Sequence, residues 1–245
     1  MSFLSTAVRN TASLFVAVAV VPALAGHWAC AQTPIVPSAI AAHGLPIRAD
    51  TVDGFAGDKD VRGWFGSYVY AVSRTTVAGK PAYLVTMDYT SKEKGTFQSD
   101  TLALDAATLN PLWRRFHART DSASVTFNGR HASGWSLQNE RNVKVDYELP
   151  ATSFAGPMLR WILPSLPLAV GYQGAMSVFS IWKNAEDKAL INVTGSETVD
   201  LASRKVDTWV LQSPSGARTW IDKSSGKIVQ AFTPDGGRGS WLVMR

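Results

Sequence analysis

The stretch Val206–Phe232, VDTWVLQSPSGARTWIDKSSGKIVQAF, narrows most what this chain can become, because it holds short β-type runs with a turn signal in each gap. Val206–Gln212 carries Val, Thr and Trp, residues suited to a pleated surface. Pro214-Ser215-Gly216 then supplies a fixed φ and a residue without a Cβ, as a tight turn requires. Thr219-Trp220-Ile221 is the second run. Asp222-Lys223-Ser224-Ser225-Gly226 turns the chain again, with an Asp able to bond the backbone two residues on and a Gly free to take φ > 0. Lys227–Phe232 returns. The same phrase stands at Thr101–Trp113, where Asp105 opens a small-residue turn between two runs. This pattern predicts one hairpin design used repeatedly in an antiparallel sheet.

The rest of the chain is punctuated at the same spacing. Tyr68, Tyr70 and Val72 alternate, Ala78-Gly79-Lys80-Pro81 turns, and Tyr83, Val85, Met87 and Tyr89 alternate in reply. Asn128-Gly129 is the strongest short hairpin signal. Val143–Glu148 alternates apolar and charged, so one face of this sheet is wet and the other buried. About a dozen strands follow from such a reading, with no room for the crossover helices of a parallel α/β fold. An antiparallel sheet of that length must curl or close to manage its edges.

Two segments break the rule. Arg48–Gly63 has four Asp and three Gly and reads as loop, so the sheet is expected to begin near Trp64. Before it, Gln32–Pro46 reads as an arm with one helical turn at Ser38–Ala42 and disorder up to Ile47. The second break follows Pro150. Phe154, Met158, Trp161 and Ile162 fall at helical offsets, with Thr152 or Ser153 as N-cap, Pro157 in the first turns and Pro164 closing. This predicts a short helix over Ser153–Leu163 or, since Gly156 weakens it, an apolar loop covering the sheet.

The first residues carry Arg9, an apolar run over Leu14–Ala25 and the small-residue pattern Ala29-Cys30-Ala31, the arrangement of a secretory signal peptide. About a dozen apolar residues are too few for a span, which needs roughly 20. Cleavage is expected after Ala31, with Ala25 as the second choice. His27 stands where a lipoprotein signal has a Leu-type residue, which argues against lipid attachment at Cys30. The organisation expected is a signal peptide over 1–31, an arm and loop over 32–63 and one β domain over 64–245. The only cysteine leaves with the signal, so a mature chain has neither a disulfide nor a thiol nucleophile. Losing Arg9 takes 24 basic residues to 23 against 19 acidic ones, a net charge of +4. The longest basic cluster is Arg114-Arg115, so no nucleic-acid partner is expected, nor a membrane-spanning chain.

The order of these motifs is familiar. An apolar helix, then Leu163-Pro164-Ser165-Leu166-Pro167-Leu168 with Gly171, then Val193–Val199, Val206-Asp207-Thr208-Trp209 and Thr219-Trp220-Ile221-Asp222, resembles an uncharacterised family of exported bacterial β-proteins. That family is similar in architecture to the LolA and LolB lipoprotein carriers. The resemblance covers Trp64 to the C-terminus and rests on turn and packing residues, so it carries over no catalytic residue. It implies a curved antiparallel sheet forming an unclosed barrel plugged by a helix. The feature matching a carrier's cavity is the helix face Phe154, Met158, Trp161 and Ile162, the candidate ligand-binding residues for a lipid or acyl chain.

Catalytic and metal patterns are weak. His43, His117 and His131 include no pair at ligand spacing, although His117 and His131 with Asp121 could meet across strands. Gly134-Trp135-Ser136 lacks the second Gly of a nucleophile elbow, and Asp100-Thr101 is followed by Leu102 where an acid protease needs Gly. Paired carboxylates can meet from any distance in sequence. The expectation is therefore an envelope protein of non-catalytic type without cofactor or metal, exported to the periplasm or secreted. It would hold a hydrophobic ligand or, alternatively, serve as a module with a filled core that binds an envelope protein partner; an envelope hydrolase is a third reading. Eight of the nine tryptophans remain after cleavage, read as core and cross-strand packing, or as groups lining a lipid cavity or stacking on sugars.

Overall fold

The computed structural model describes residues 32–57, 62–92, 97–156, 158–201, 204–235 and 238–245. Among them are sixteen strands and two short helices, and the strands belong to one large sheet that does not close. In chain order the elements begin with β1 (Thr33–Pro34), α1 (Pro37–Ala41), β2 (Arg48–Gly57), β3 (Arg62–Val77), β4 (Lys80–Ser91), β5 (Phe97–Asp105) and β6 (Pro111–Ala118). They continue with β7 (Ser122–Asn128), β8 (His131–Gln138), β9 (Arg141–Glu148), β10 (Ser153–Phe154), α2 (Leu159–Ile162) and a 3-10 turn at Leu163–Ser165. The last are β11 (Gln173–Ser180), β12 (Ala185–Leu201), β13 (Arg204–Gln212), β14 (Arg218–Asp222), β15 (Ile228–Asp235) and β16 (Arg238–Met244).

The order across the sheet is β1, β11 to β16, then β2 to β9, with β10 also beside β11. Neighbours along the chain pair antiparallel by hairpins, as the turn residues predict. Besides the parallel pairing of β1 with β11, the long-range join is β16 to β2, which seats Trp241 opposite Phe55 and makes β2 an interior strand. Arg48–Gly57 is therefore strand and not the loop its composition suggests. Gly54 is needed there because a Cβ would lie 2.5 Å from the Phe65 ring. The expected disorder before Ile47 is also corrected: α1 occupies Pro37–Ala41, and Ile35, Ile40 and Leu45 are buried in the main core.

The turns are built from the atoms the sequence implies. Asp105 accepts the backbone N–H groups of Ala107 and Thr108 and the Thr108 hydroxyl, at 3.0, 2.9 and 2.9 Å. Asp222 accepts the N–H groups of Ser224 and Ser225 and the Ser224 hydroxyl, at 2.7, 3.3 and 2.6 Å. In both cases burial alone would push the carboxyl up, but these hydrogen bonds outweigh it and hold the group below the usual carboxylate range.

The two ends of the sheet approach each other without backbone pairing. Tyr147 of β9 stacks on Phe179 of β11 with centroids 5.2 Å apart, and Phe116 of β6 meets Trp182 edge-on at 4.9 Å. At the free edge of β9, the Asp146 N–H donates to Asn184 Oδ1 at 3.1 Å, and Asn184 Nδ2 donates to the Asp146 carbonyl at 3.3 Å. One side-chain amide thus takes the place of a strand neighbour. The remainder of that edge carries Arg141, Lys144 and Glu148, charges that discourage pairing with another chain.

Candidate functional site

The segment between β9 and β11 is the plug. Its predicted helix over Ser153–Leu163 is shorter in the fold: α2 keeps only Leu159–Ile162, and Ser153 and Phe154 instead pair in parallel with Ser177 and Val178. The N-cap is Met158 with no side-chain bond, so neither Thr152 nor Ser153 caps it. The expected place of Pro157 in the first turns lies outside the described residues. An isolated helix of one turn has no stability of its own, so its contacts with the sheet hold it.

Both ends of the plug are tied down. On the entry side Arg130 donates to the Leu149 carbonyl at 2.9 Å, to Asn110 Oδ1 at 2.8 Å and to the Ser153 carbonyl at 2.8 Å, and it also reaches the Pro150 carbonyl. On the exit side Gly226, with φ +65°, lies against Pro164. A Cβ there would be 2.6 Å from the Pro164 Cα. The turn opened by Asp222 is thus also the seat of the plug.

Between the plug and β11 to β16 lies a cavity of about 550 Å³. Met158 and Trp161 stand on its wall, facing Met176, Leu211 and Leu242 from the sheet. Phe154 and Ile162 are equally buried but belong to the solid core behind, so the four residues predicted as one face divide into two pairs. Trp161 is only 1% exposed, and the Arg48 guanidinium sits 5.5 Å from its ring centroid.

The wall also carries charge. Arg114 pairs with Asp100 through two bonds of 2.9 and 2.6 Å, both side chains being buried. Lys183 holds Asp187 at 2.7 Å. Arg160 stands between Leu159 and Trp161 with its guanidinium 4.3 Å from the Tyr70 ring centroid. Burial pushes the Arg160 guanidinium below its ordinary value, and it pushes the Tyr70 hydroxyl up. Sequence reasoning missed Arg160. Its signal was a single cation inside an apolar segment with no acid three or four residues away on either side.

The other candidates are dispersed. Asp121 accepts the Asn139 N–H at 3.0 Å, while His131 lies 3.4 Å from both Asp146 and Glu148 at the exposed end of β8 and β9. Among the described residues no three His, Cys, Asp or Glu side chains gather to hold a metal ion. No described helix is long and apolar enough to cross a membrane, which says nothing of strands.

An unclosed antiparallel sheet with a short apolar plug against its inner face thus defines an all-β protein with a cavity of about 550 Å³ beneath that plug. Residues 60–240 match the family described as protein of unknown function DUF3108, and the chain belongs to that family. No curated protein matches the chain.

Proposed function

We propose that this is an exported envelope protein of non-catalytic type that holds a hydrophobic ligand, a lipid or acyl chain, between the plug and the sheet. The observation that carries this reading is the cavity of about 550 Å³ beneath Trp161 and Met158. Small-molecule sites are concave, mostly apolar and roughly 300–1,000 Å³ in volume. Export is supported by the signal pattern over 1–31, which lies outside the described residues. The likeness to the LolA and LolB carriers belongs to the proposal too; an unclosed sheet with a plug supports it, and fold likeness alone does not establish transport. Binding is preferred to catalysis because the carboxylates nearest the cavity, Asp100 and Asp187, are each engaged by a cation.

The test uses protein purified under native conditions. Organic extraction followed by mass spectrometry is expected to release acyl chains in near-stoichiometric amount, and the emptied protein is expected to enhance a hydrophobic dye. Ala189→Phe, which projects from β12 into the cavity opposite Met176, is expected to fold and to lose the dye signal. Protein free of lipid and silent to dye, with Ala189→Phe indistinguishable from it, would sink this reading in favour of a filled interaction module.

A further inference from the structure

The cavity wall is mostly apolar, with hydroxyl and amide side chains such as Ser180, Gln138 and Gln212 and a few ions, and of its cations all but one are paired. Arg114 is neutralised by Asp100 and Lys183 by Asp187. Among the described residues Arg160 is the wall cation without an ion pair, although it is only 8% exposed. Its Nη1 makes no hydrogen bond. Asp50 attracts the guanidinium but is shared with Arg48 at 3.1 Å and Lys227 at 3.0 Å, and no salt bridge joins Asp50 to Arg160 among the described residues. Three cations around the plug therefore face one carboxylate, and Arg48 Nη2 also lacks a partner.

A buried guanidinium short of acceptors is costly to the fold, since every unmade bond to a charged donor forfeits its hydration without replacement. Tyr70 supports the guanidinium by its ring face and by a side-chain hydrogen bond, which leaves Nη1 as the buried donor without an acceptor. That fork matches a carboxylate or phosphate in geometry, not merely in charge. Arg160, whose Nη1 lacks an acceptor, stands on the wall of a mostly apolar space.

We infer that the ligand is an amphiphile with an anionic head, whose chain fills the cavity and whose head is bound by Arg160. This rests on the reading of the cavity as a ligand site and adds the chemical class of the ligand. Arg48 is the second donor within the same cluster, and Tyr70 positions Arg160.

The experiment is dye displacement from emptied wild-type protein by palmitate, hexadecyl phosphate and hexadecanol, three ligands with one chain and different heads. Both anions are expected to bind at least about tenfold tighter than the alcohol, the size of effect one charge-assisted contact gives. Whichever of the two is tighter identifies the head as carboxylate or phosphate. Arg160→Met, which keeps the volume and removes the charge, is expected to bring the anions down to the affinity of the alcohol while leaving the alcohol unchanged. Equal affinities for all three heads in the wild type would overturn the inference and leave the cavity reading intact. Failure of all three to displace a dye that does bind would overturn it as well. Absence of any dye binding would remove the cavity reading and this inference with it. The wild-type comparison decides even if Arg160→Met does not fold.

Discussion

Strands β13 to β16 present two apolar faces that are treated in opposite ways. On the face turned to the plug, Leu211, Thr219 and Leu242 line the cavity. On the other, Val206, Val210, Trp220, Val229 and Trp241 form a separate buried cluster. Trp220 stacks on Trp241 with centroids 6.0 Å apart, and Trp241 meets Phe232 at 4.6 Å. The polar end of Trp220 is met too: its indole N–H donates to Glu197, which also takes Arg218 at 3.2 Å. Successive residues of one strand thus serve a solid cluster and a hollow one. The outer face packs its rings against one another, whereas the inner face keeps a cavity and a buried cation with one donor unmatched where apolar side chains could have filled the space. Space of that kind is what a binding site retains and a structural core does not.

The largest effect expected is on the solid side. Trp220→Ala removes a buried, stacked ring and one of the two partners of Glu197, and should cost about 3–5 kcal/mol in urea unfolding with ligand binding unchanged. Trp161→Ala is the paired experiment. One side of that ring already borders the cavity, so fewer contacts are lost and the cost should fall near the low end, about 3 kcal/mol, while hydrophobic-dye affinity shifts. Should Trp161→Ala prove as damaging as Trp220→Ala, with no ligand found for the wild type, the two faces are alike and the carrier reading fails.

Adding volume sharpens the contrast. Val229→Phe overfills the solid cluster and is expected to cost about 1–3 kcal/mol, whereas Ala189→Phe grows toward the cavity and should change the unfolding free energy by less than about 1 kcal/mol. Comparable losses from both would mean that the cavity closes in solution.

The smallest effects belong to the turns. Asp222→Ala should cost about 1–2 kcal/mol, because it removes a buried carboxylate that accepts three hydrogen bonds in the turn that seats the plug; Asp105→Ala, where the carboxylate is less buried, should cost about 1 kcal/mol or less. Both carboxyls are held below their usual range in the fold. Their contribution to stability is therefore present above the unfolded carboxylate value near pH 4 and is lost as pH falls through the lower folded value. Unfolding midpoints measured from pH 6 down to pH 2 should show that decline in the wild type and a shallower one in the double variant. Selective loss of ligand binding in Asp222→Ala at unchanged stability would make its carboxylate functional instead.

Much of this architecture was legible because hairpins are local. Asp105, Asp222 and Gly129 act on atoms within a few residues, and the alternation in β4 and β9 records which face is buried without reference to the partner strand. Composition misled at β2, which looks like loop because its acids and glycines have distant reasons. Asp50 is answered by Lys227, Asp53 by Arg245 at 2.7 Å, and Gly54 by the Phe65 ring. The plug was placed correctly and built wrongly for the same cause. Helical spacing marked Phe154, Met158, Trp161 and Ile162, but the pull of β11 drew Ser153 and Phe154 into strand pairing.

By itself, then, the sequence determined an antiparallel all-β chain, its main turns and the apolar segment that interrupts them, since these follow from backbone preferences and side-chain alternation over short distances. Only the tertiary structure decided that β2 lies in mid-sheet, that the apolar segment leaves a cavity beneath it, and that Arg160 is buried on its wall without a matching carboxylate. Burial and charge balance are sums over residues brought together from across the chain, and no local window contains them.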